Sequence, residues 1–245
     1  MDVSDPTRSI TPSLDGPVLA VLAAAGRPLT VGEIAQLSVR GSEIGIRKCL
    51  GRLVQQGVIR AVEMGRNRVH ELNREHVAAG IAIALANLRL EVIKRLRDEL
   101  GSWNPRPVAA WLFGSTARAD GDERSDIDLL VVRGMRRGET LAIFDAPPTG
   151  VLGVIAEVFA AYASAKNQGG TPWLTPGAED AWREQLDRLR RLVPSWTGNQ
   201  AQIIELTINE MLNQHRNGAT LFEEIDRDGI SLMKQPLPLL QHPKM

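Results

Sequence analysis

Apolar residues recur at helical spacing three times within the first 56 positions. Pro17-Val18-Leu19-Ala20-Val21-Leu22-Ala23-Ala24-Ala25 reads as a short helix that Gly26 stops. A second helix begins at Leu29, with Thr30 as its N-cap and Glu33 three residues on, the spacing of a capping box. The third, over 42–56, sets Ile46, Cys49, Leu50, Leu53 and Val54 on one face before Gly57. Two short alternating runs, 58–62 and 68–72, flank Met64-Gly65-Arg66-Asn67 and predict a hairpin. A longer stripe of Ile81, Leu85, Leu88, Val92, Leu96 and Leu100 predicts a helix over 76–100, broken by Pro105 and Pro107.

The second half is less regular. Two apolar strands over 108–132 enclose a Gly-Ser turn and a polar loop. Residues 151–166 read as a helix that is apolar around most of its circumference, and 167–172 as a break. Glu179 to Val193 is amphipathic, with Trp182, Leu186, Leu189 and Val193 on one side. Gln202-Ile203-Ile204-Glu205-Leu206 predicts a strand, and 208–214 and 221–226 two short helices.

This order of elements predicts an α/β (α+β) chain. A polar N-terminus over 1–15, carrying Pro6 and Pro12, is expected to be flexible. Three helices and a hairpin over 16–75 make a winged helix-turn-helix. A linking helix follows over 76–103, then an α/β domain over 104–233. The tail, 234–245, holds three prolines and is expected to be peripheral. The formal net charge is zero, so attraction to nucleic acid must come from a local patch. One cysteine, Cys49, excludes an internal disulfide, and its place on the third helix's apolar stripe reads as a small buried hydrophobe. The acidic start lacks the pattern of a signal peptide. The greasiest stretch, 76–93, is interrupted by His76, Asn87, Arg89 and Glu91 and makes no bilayer span. A cytoplasmic protein without membrane contact is the expectation. The four histidines are isolated and form no metal-ligand pair, and Trp111 and Trp182 read as core.

The chemistry concentrates at Leu112-Phe113-Gly114-Ser115-Thr116-Ala117-Arg118 and Ser125-Asp126-Ile127-Asp128. Residues two apart on a strand share a face, so Asp126 and Asp128 aim at one point. Paired carboxylates repel unless a cation lies between them, and hard oxygen ligands suit Mg²⁺ together with substrate phosphates. Gly114 permits a close backbone turn, and free N–H groups with the Ser115 hydroxyl suit a phosphate. Arg118, one turn along, either reaches that phosphate or turns to solvent.

Gly114-Ser115-x-Ala117-Arg118 with Ser125-Asp126-x-Asp128 resembles the signature of minimal nucleotidyltransferases in the DNA polymerase β-like superfamily. Aminoglycoside nucleotidyltransferases and bacterial toxin or antitoxin nucleotidyltransferases belong to that superfamily. The resemblance is strong over 108–132 and extends to about 233. It implies attack of an acceptor hydroxyl on the α-phosphate of an NTP, with two Mg²⁺ ions and loss of pyrophosphate. It assigns nucleotide binding to Gly114, Ser115, Arg118 and Ser125, and metal binding to Asp126 and Asp128. The family usually has Gly after the Arg, where this chain has Ala119. It also takes a third carboxylate from a later strand, often near its start, where this chain has Gln202. Either the register brings Glu205 to the site as catalytic residue and metal ligand, or the site is incomplete.

Basic residues cluster in the first module: Arg47, Lys48 and Arg52 off the third helix's apolar stripe, and Arg66 and Arg68 around the hairpin turn. They suit phosphate contacts to duplex DNA, against which Glu43, Glu63 and Glu71 work. A protein contact or homodimer is the other use of such a module. Two functions follow. One is an Mg²⁺-dependent nucleotidyltransferase acting on a protein, an RNA or a small molecule. The other is a DNA-binding regulator whose degenerate nucleotidyltransferase domain senses nucleotide.

Overall fold

A computed structural model describes residues 1–136, 173–174, 178–217 and 219–233. The helix expected over 151–166, the break at 167–172 and the tail 234–245 lie outside the described residues. Contacts divide the chain into two units, one built on Met1–Glu91 and the other on Val92–Pro236.

In the first unit, α1 (Asp15–Ala24), α2 (Val31–Leu37) and α3 (Glu43–Gln55) precede the hairpin of β2 (Ile59–Met64) and β3 (Asn67–Leu72). A two-residue strand, β1 (Leu29–Thr30), completes an antiparallel sheet of order β1-β3-β2. So short a strand has no alternation to read in the sequence. The capping box forms: Glu33 N–H donates to the Thr30 hydroxyl (3.3 Å), and Thr30 N–H to the Glu33 carboxylate (2.7 Å). The Thr30 backbone bond and the Arg27 guanidinium hold the Glu33 carboxyl at about 2. Ser42 caps α3 with one bond, its hydroxyl accepting from Gly45 N–H (3.2 Å). Ile46, Leu50 and Leu53 of α3 meet Val18, Leu22, Ile34, Ile59 and Leu72 in one core. Cys49 is in this core, and its thiol donates to Asp15 (2.9 Å). Burial, then the Asp15 carboxylate, pushes that thiol up to about 12, so it is no nucleophile near neutral pH.

The N-terminal segment departs from expectation. Val3 is 1% exposed, and Asp2, Asp5 and Thr7 are buried around a 3₁₀ turn at Pro6–Ser9. Asp5 accepts from the Thr7 hydroxyl and from Arg40 Nε, each at 2.5 Å. Arg40 also donates to the carbonyls of Pro12 and Ser13. The polar residues that read as disorder satisfy one another.

Helix α4 (Ala79–Gly101) starts later than expected, after His76 Nδ1 has accepted from Ala78 N–H (3.1 Å). Its buried line is Ala79, Ala82, Ile83, Leu85, Val92, Ile93, Leu96 and Leu100, whereas Ile81 is 64% exposed. Small alanines supply the close-packed side, which a stripe of large residues misses.

In the second unit, β8 (Ala201–Thr207), β5 (Ile127–Arg133), β4 (Ala109–Phe113) and β9 (Ile230–Ser231) form a mixed sheet in that order. β5 and β8 are parallel, and the other pairs antiparallel. Leu129–Val132 are fully buried, as a continuous apolar run covered on both faces should be. On one face Leu130, Val132, Trp111, Phe113 and Leu206 pack against α7 (Ile208–Arg216) and α8 (Thr220–Asp228) through Met211, Leu212, Phe222 and Ile225. Beside the other face α6 (Ala178–Thr197) buries Trp182, Leu186, Leu189 and Val193 and packs on β8. Trp111 and Trp182 are both core residues. A two-residue parallel pair, β6 (Met135–Arg136) with β7 (Trp173–Leu174), completes the described strands.

Candidate active site

Strand β4 ends at Phe113, which pairs with Asp128 of β5. The chain then turns through Gly114 at φ +67° into the five-residue helix α5 (Gly114–Arg118). A Cβ on Gly114 would stand 3.1 Å from Asp128 Cγ and inside contact distance of its Oδ2. Glycine suits this backbone angle, and a side chain here would displace the carboxylate resting on it.

Asp126 immediately precedes β5 and is exposed, whereas Asp128 is half-buried. The Asp128 carboxyl is raised above its ordinary range, first by burial, then by the charges of Asp126 and Glu224; Arg118 partly offsets this. For an acid raised on folding, the protonated form is the one the fold favours. The stability it contributes is present below the ordinary carboxyl range and is lost as pH rises through the raised value. At neutral pH the ionised pair is thus under repulsion, which a divalent cation would relieve. Two carboxylates and the phosphates of a substrate are enough for one Mg²⁺. Among the described residues no group of three His, Cys, Asp or Glu side chains is arranged to hold a metal ion, so any ion here would take the rest of its oxygens from the substrate.

The other candidates divide. Ser115 is half-buried on α5, and its carbonyl accepts from Asp120 N–H (3.1 Å). Arg118 pairs with Asp120 (2.9 Å) at the surface, close enough to act on Asp128. The Ser125 hydroxyl accepts from Asp122 N–H (2.9 Å) and donates to the Asp122 carboxylate (3.0 Å), closing the loop. Glu205 is not at the site. In the parallel register Asp128 pairs with Gln202, whereas Glu205 pairs with Val131 and so takes the opposite face. There Trp182 Nε1–H donates to it (2.7 Å) and Arg133 pairs with it (3.2 Å). The side chain across from Asp128 on the shared face is the neutral amide of Gln202.

Three residues matter that the sequence reading missed. Glu224, on α8, bears electrostatically on both Asp128 and Arg118. Asn199 is 3% exposed and donates to the Ser125 carbonyl (2.8 Å), fastening the loop that leads to Asp126. The Thr116 hydroxyl donates to the Asp126 carbonyl (3.3 Å). Each acts across the fold, and no local spacing marks it. The five basic residues of the first unit also separate. Arg47, Arg66 and Arg68 line one cleft; Arg52 pairs instead with Asp15, and Lys48 is exposed and lies outside the cleft lining.

The family model of the nucleotidyltransferase domain matches residues 93–140, less than half of the chain but the part that holds Gly114, Asp126 and Asp128. No curated protein and no solved structure matches. The match supports nucleotidyl transfer in general, with an NTP as substrate.

The two ends of α5 give a paired prediction. Ala119, at φ 61°, is the non-glycine residue of positive φ among the described residues. Ala119→Gly should stabilise the unit by about 1 kcal/mol by relieving left-handed strain. Gly114→Ala should destabilise it by about 2 kcal/mol or more, adding both strain and collision. All five tryptophans lie beyond Val92, so urea unfolding followed by tryptophan fluorescence reads this unit. Changes of the same sign would show that the turn is not held as described.

Proposed function

We propose that the second unit transfers a nucleotidyl group from an NTP to an acceptor hydroxyl, and that the first unit binds duplex DNA as a winged helix-turn-helix. The observation that carries the enzymatic reading is the Asp128 carboxylate resting on the Gly114 turn, with the charge of Asp126 acting on it. Gly114 and Ser115 would hold the β- and γ-phosphates, and Arg118 would add positive charge. Asp126 and Asp128 would hold Mg²⁺, which when bound neutralises charge on the reacting phosphate. The acceptor oxygen bonds to the α-phosphorus as the bond to the bridging oxygen breaks and pyrophosphate leaves. Glu224, whose charge acts on Asp128, would take the acceptor's proton. The acceptor stays open among a protein, an RNA and a small molecule.

A second reading has its own support. Gln202 stands across from Asp128, and Glu205 faces the other way. A site short of one carboxylate would bind a nucleotide and turn it over poorly, and the protein would then be a DNA-binding regulator that senses nucleotide.

Incubation with each NTP labelled at the α-phosphate, with Mg²⁺ and cell lysate, separates the two. The enzyme transfers label to an acceptor, and Asp126→Ala with Asp128→Ala reduces transfer at least ~100-fold, the size expected when electrostatic support of a phosphoryl-type transition state is removed. Undiminished transfer by the double variant would refute the enzymatic reading. Nucleotide binding without transfer would favour the sensor.

For the first unit, titration of labelled duplex at several salt concentrations should give an affinity that falls steeply with salt. With three to five phosphate contacts the logarithmic slope is about −2.7 to −4.5. A slope near zero, or no binding at low salt, would remove the DNA reading.

A further inference from the structure

The outer face of α3 and the β2–β3 hairpin enclose a cleft of about 740 Å³, within the size range of small-molecule sites. Arg47 and Glu43 enter it from α3, Glu63 and Arg68 from the paired strands, and Arg66 from the turn. Arg47 is bonded to Glu43 (2.8 Å), and Glu63 is the cross-strand partner of Arg68. The carboxylates are thus each matched by one arginine, and Arg66 is in excess. The cleft is a basic recess on a chain of zero net charge.

His70, on β3, is the unusual member of this lining. It is only 5% exposed, yet its Nδ1 has no hydrogen-bond partner among the described residues. Its register partners are Leu29 and Ala61, and its sequence neighbour Val69 is buried too, so an apolar side chain would fit the strand equally well. Buried polar nitrogens are normally satisfied, and an unpartnered one on a residue that lines a cleft of arginines marks a place for a ligand oxygen.

We propose that this cleft is a phosphate-binding site, in which Arg66, Arg68 and Arg47 hold a phosphate group and His70 Nδ1 donates a hydrogen bond to one of its oxygens. The phosphate is either that of a DNA backbone or that of a free phosphorylated molecule; the site is the same for both, and it outlives failure of the DNA reading. Burial, then Arg68 and Arg47, holds the imidazole below its ordinary range in the empty cleft; the ring's bond to the Leu29 backbone and the Glu63 charge oppose this. A bound phosphate adds negative charge beside the ring and raises it again. Binding therefore takes up a proton at His70 and tightens as pH falls between the two values. Glu43, Glu63, Arg47, Arg66 and Arg68 all face the cleft, but histidine is the side chain whose ordinary range lies between about pH 5 and 8.

Imidazole NMR of the full chain between pH 5 and 8.5 tests this, with His70→Gln assigning the signal among the four histidines. Inorganic pyrophosphate and a short duplex are the two probes. A rise of about one unit or more in the His70 midpoint is expected with whichever probe fits, the size one nearby charge produces. A rise with pyrophosphate alone identifies a free phosphate, with the duplex alone a DNA backbone, and with both a site open to either. Arg66→Ala, on an exposed turn, should weaken that probe at least ~10-fold, a loss of one charge-assisted contact. A His70 midpoint unmoved by both probes overturns the proposal, even where the duplex binds with steep salt dependence. So does affinity that Arg66→Ala leaves unchanged.

Discussion

The approach of one carboxylate to one backbone turn organises the second unit. Asp128 sits on Gly114 because β4 and β5 are paired in a register that sets Phe113 opposite Asp128. That register in turn is held by a strand buried on both faces, where slippage by one residue would exchange the two apolar sets. The price is charge: a half-buried Asp128 beside Asp126 and Glu224, with Arg118 the compensating cation. Core packing therefore holds together groups that repel, the state a cation and a phosphate-bearing ligand would relax.

Around this contact the polar side chains divide between building the site and facing it. Ser125, Asp122, Asn199 and Thr116 spend their hydrogen bonds on the loop between α5 and β5. Glu205 is spent on Trp182 and Arg133 on the far face. What bears on Asp128 is the amide of Gln202 across the sheet and the charges of Asp126, Glu224 and Arg118. The same division holds in the first unit, where Arg52 answers Asp15 while Arg47, Arg66 and Arg68 converge on a cleft floored by His70.

What the sequence makes legible is what local chemistry decides. The capping box of Thr30 and Glu33, the apolar face of α3, the hairpin around Gly65 and the strand-turn-strand about Gly114 all follow from spacing within short stretches of the chain. Where a residue's role depends on a distant partner, sequence reasoning falls short. Asp5 and Arg40 convert a polar terminus into a docked segment, and Ala82 replaces Ile81 on the buried side of α4. Glu205 was a candidate by type and strand, and only the pairing of Val131 with it reveals its face. Glu224 and His70 carry no motif; the first bears on Asp128 from α8, and the second lines the cleft from β3.

The most direct test of the central claim is calorimetric titration of the full chain with a non-hydrolysable NTP analogue, with and without Mg²⁺. Saturable binding that requires Mg²⁺ and is lost in Gly114→Ala is the expected result, because the turn and the two carboxylates would share one ligand. Binding indifferent to Mg²⁺, or undiminished when Gly114 carries a side chain, would contradict the account.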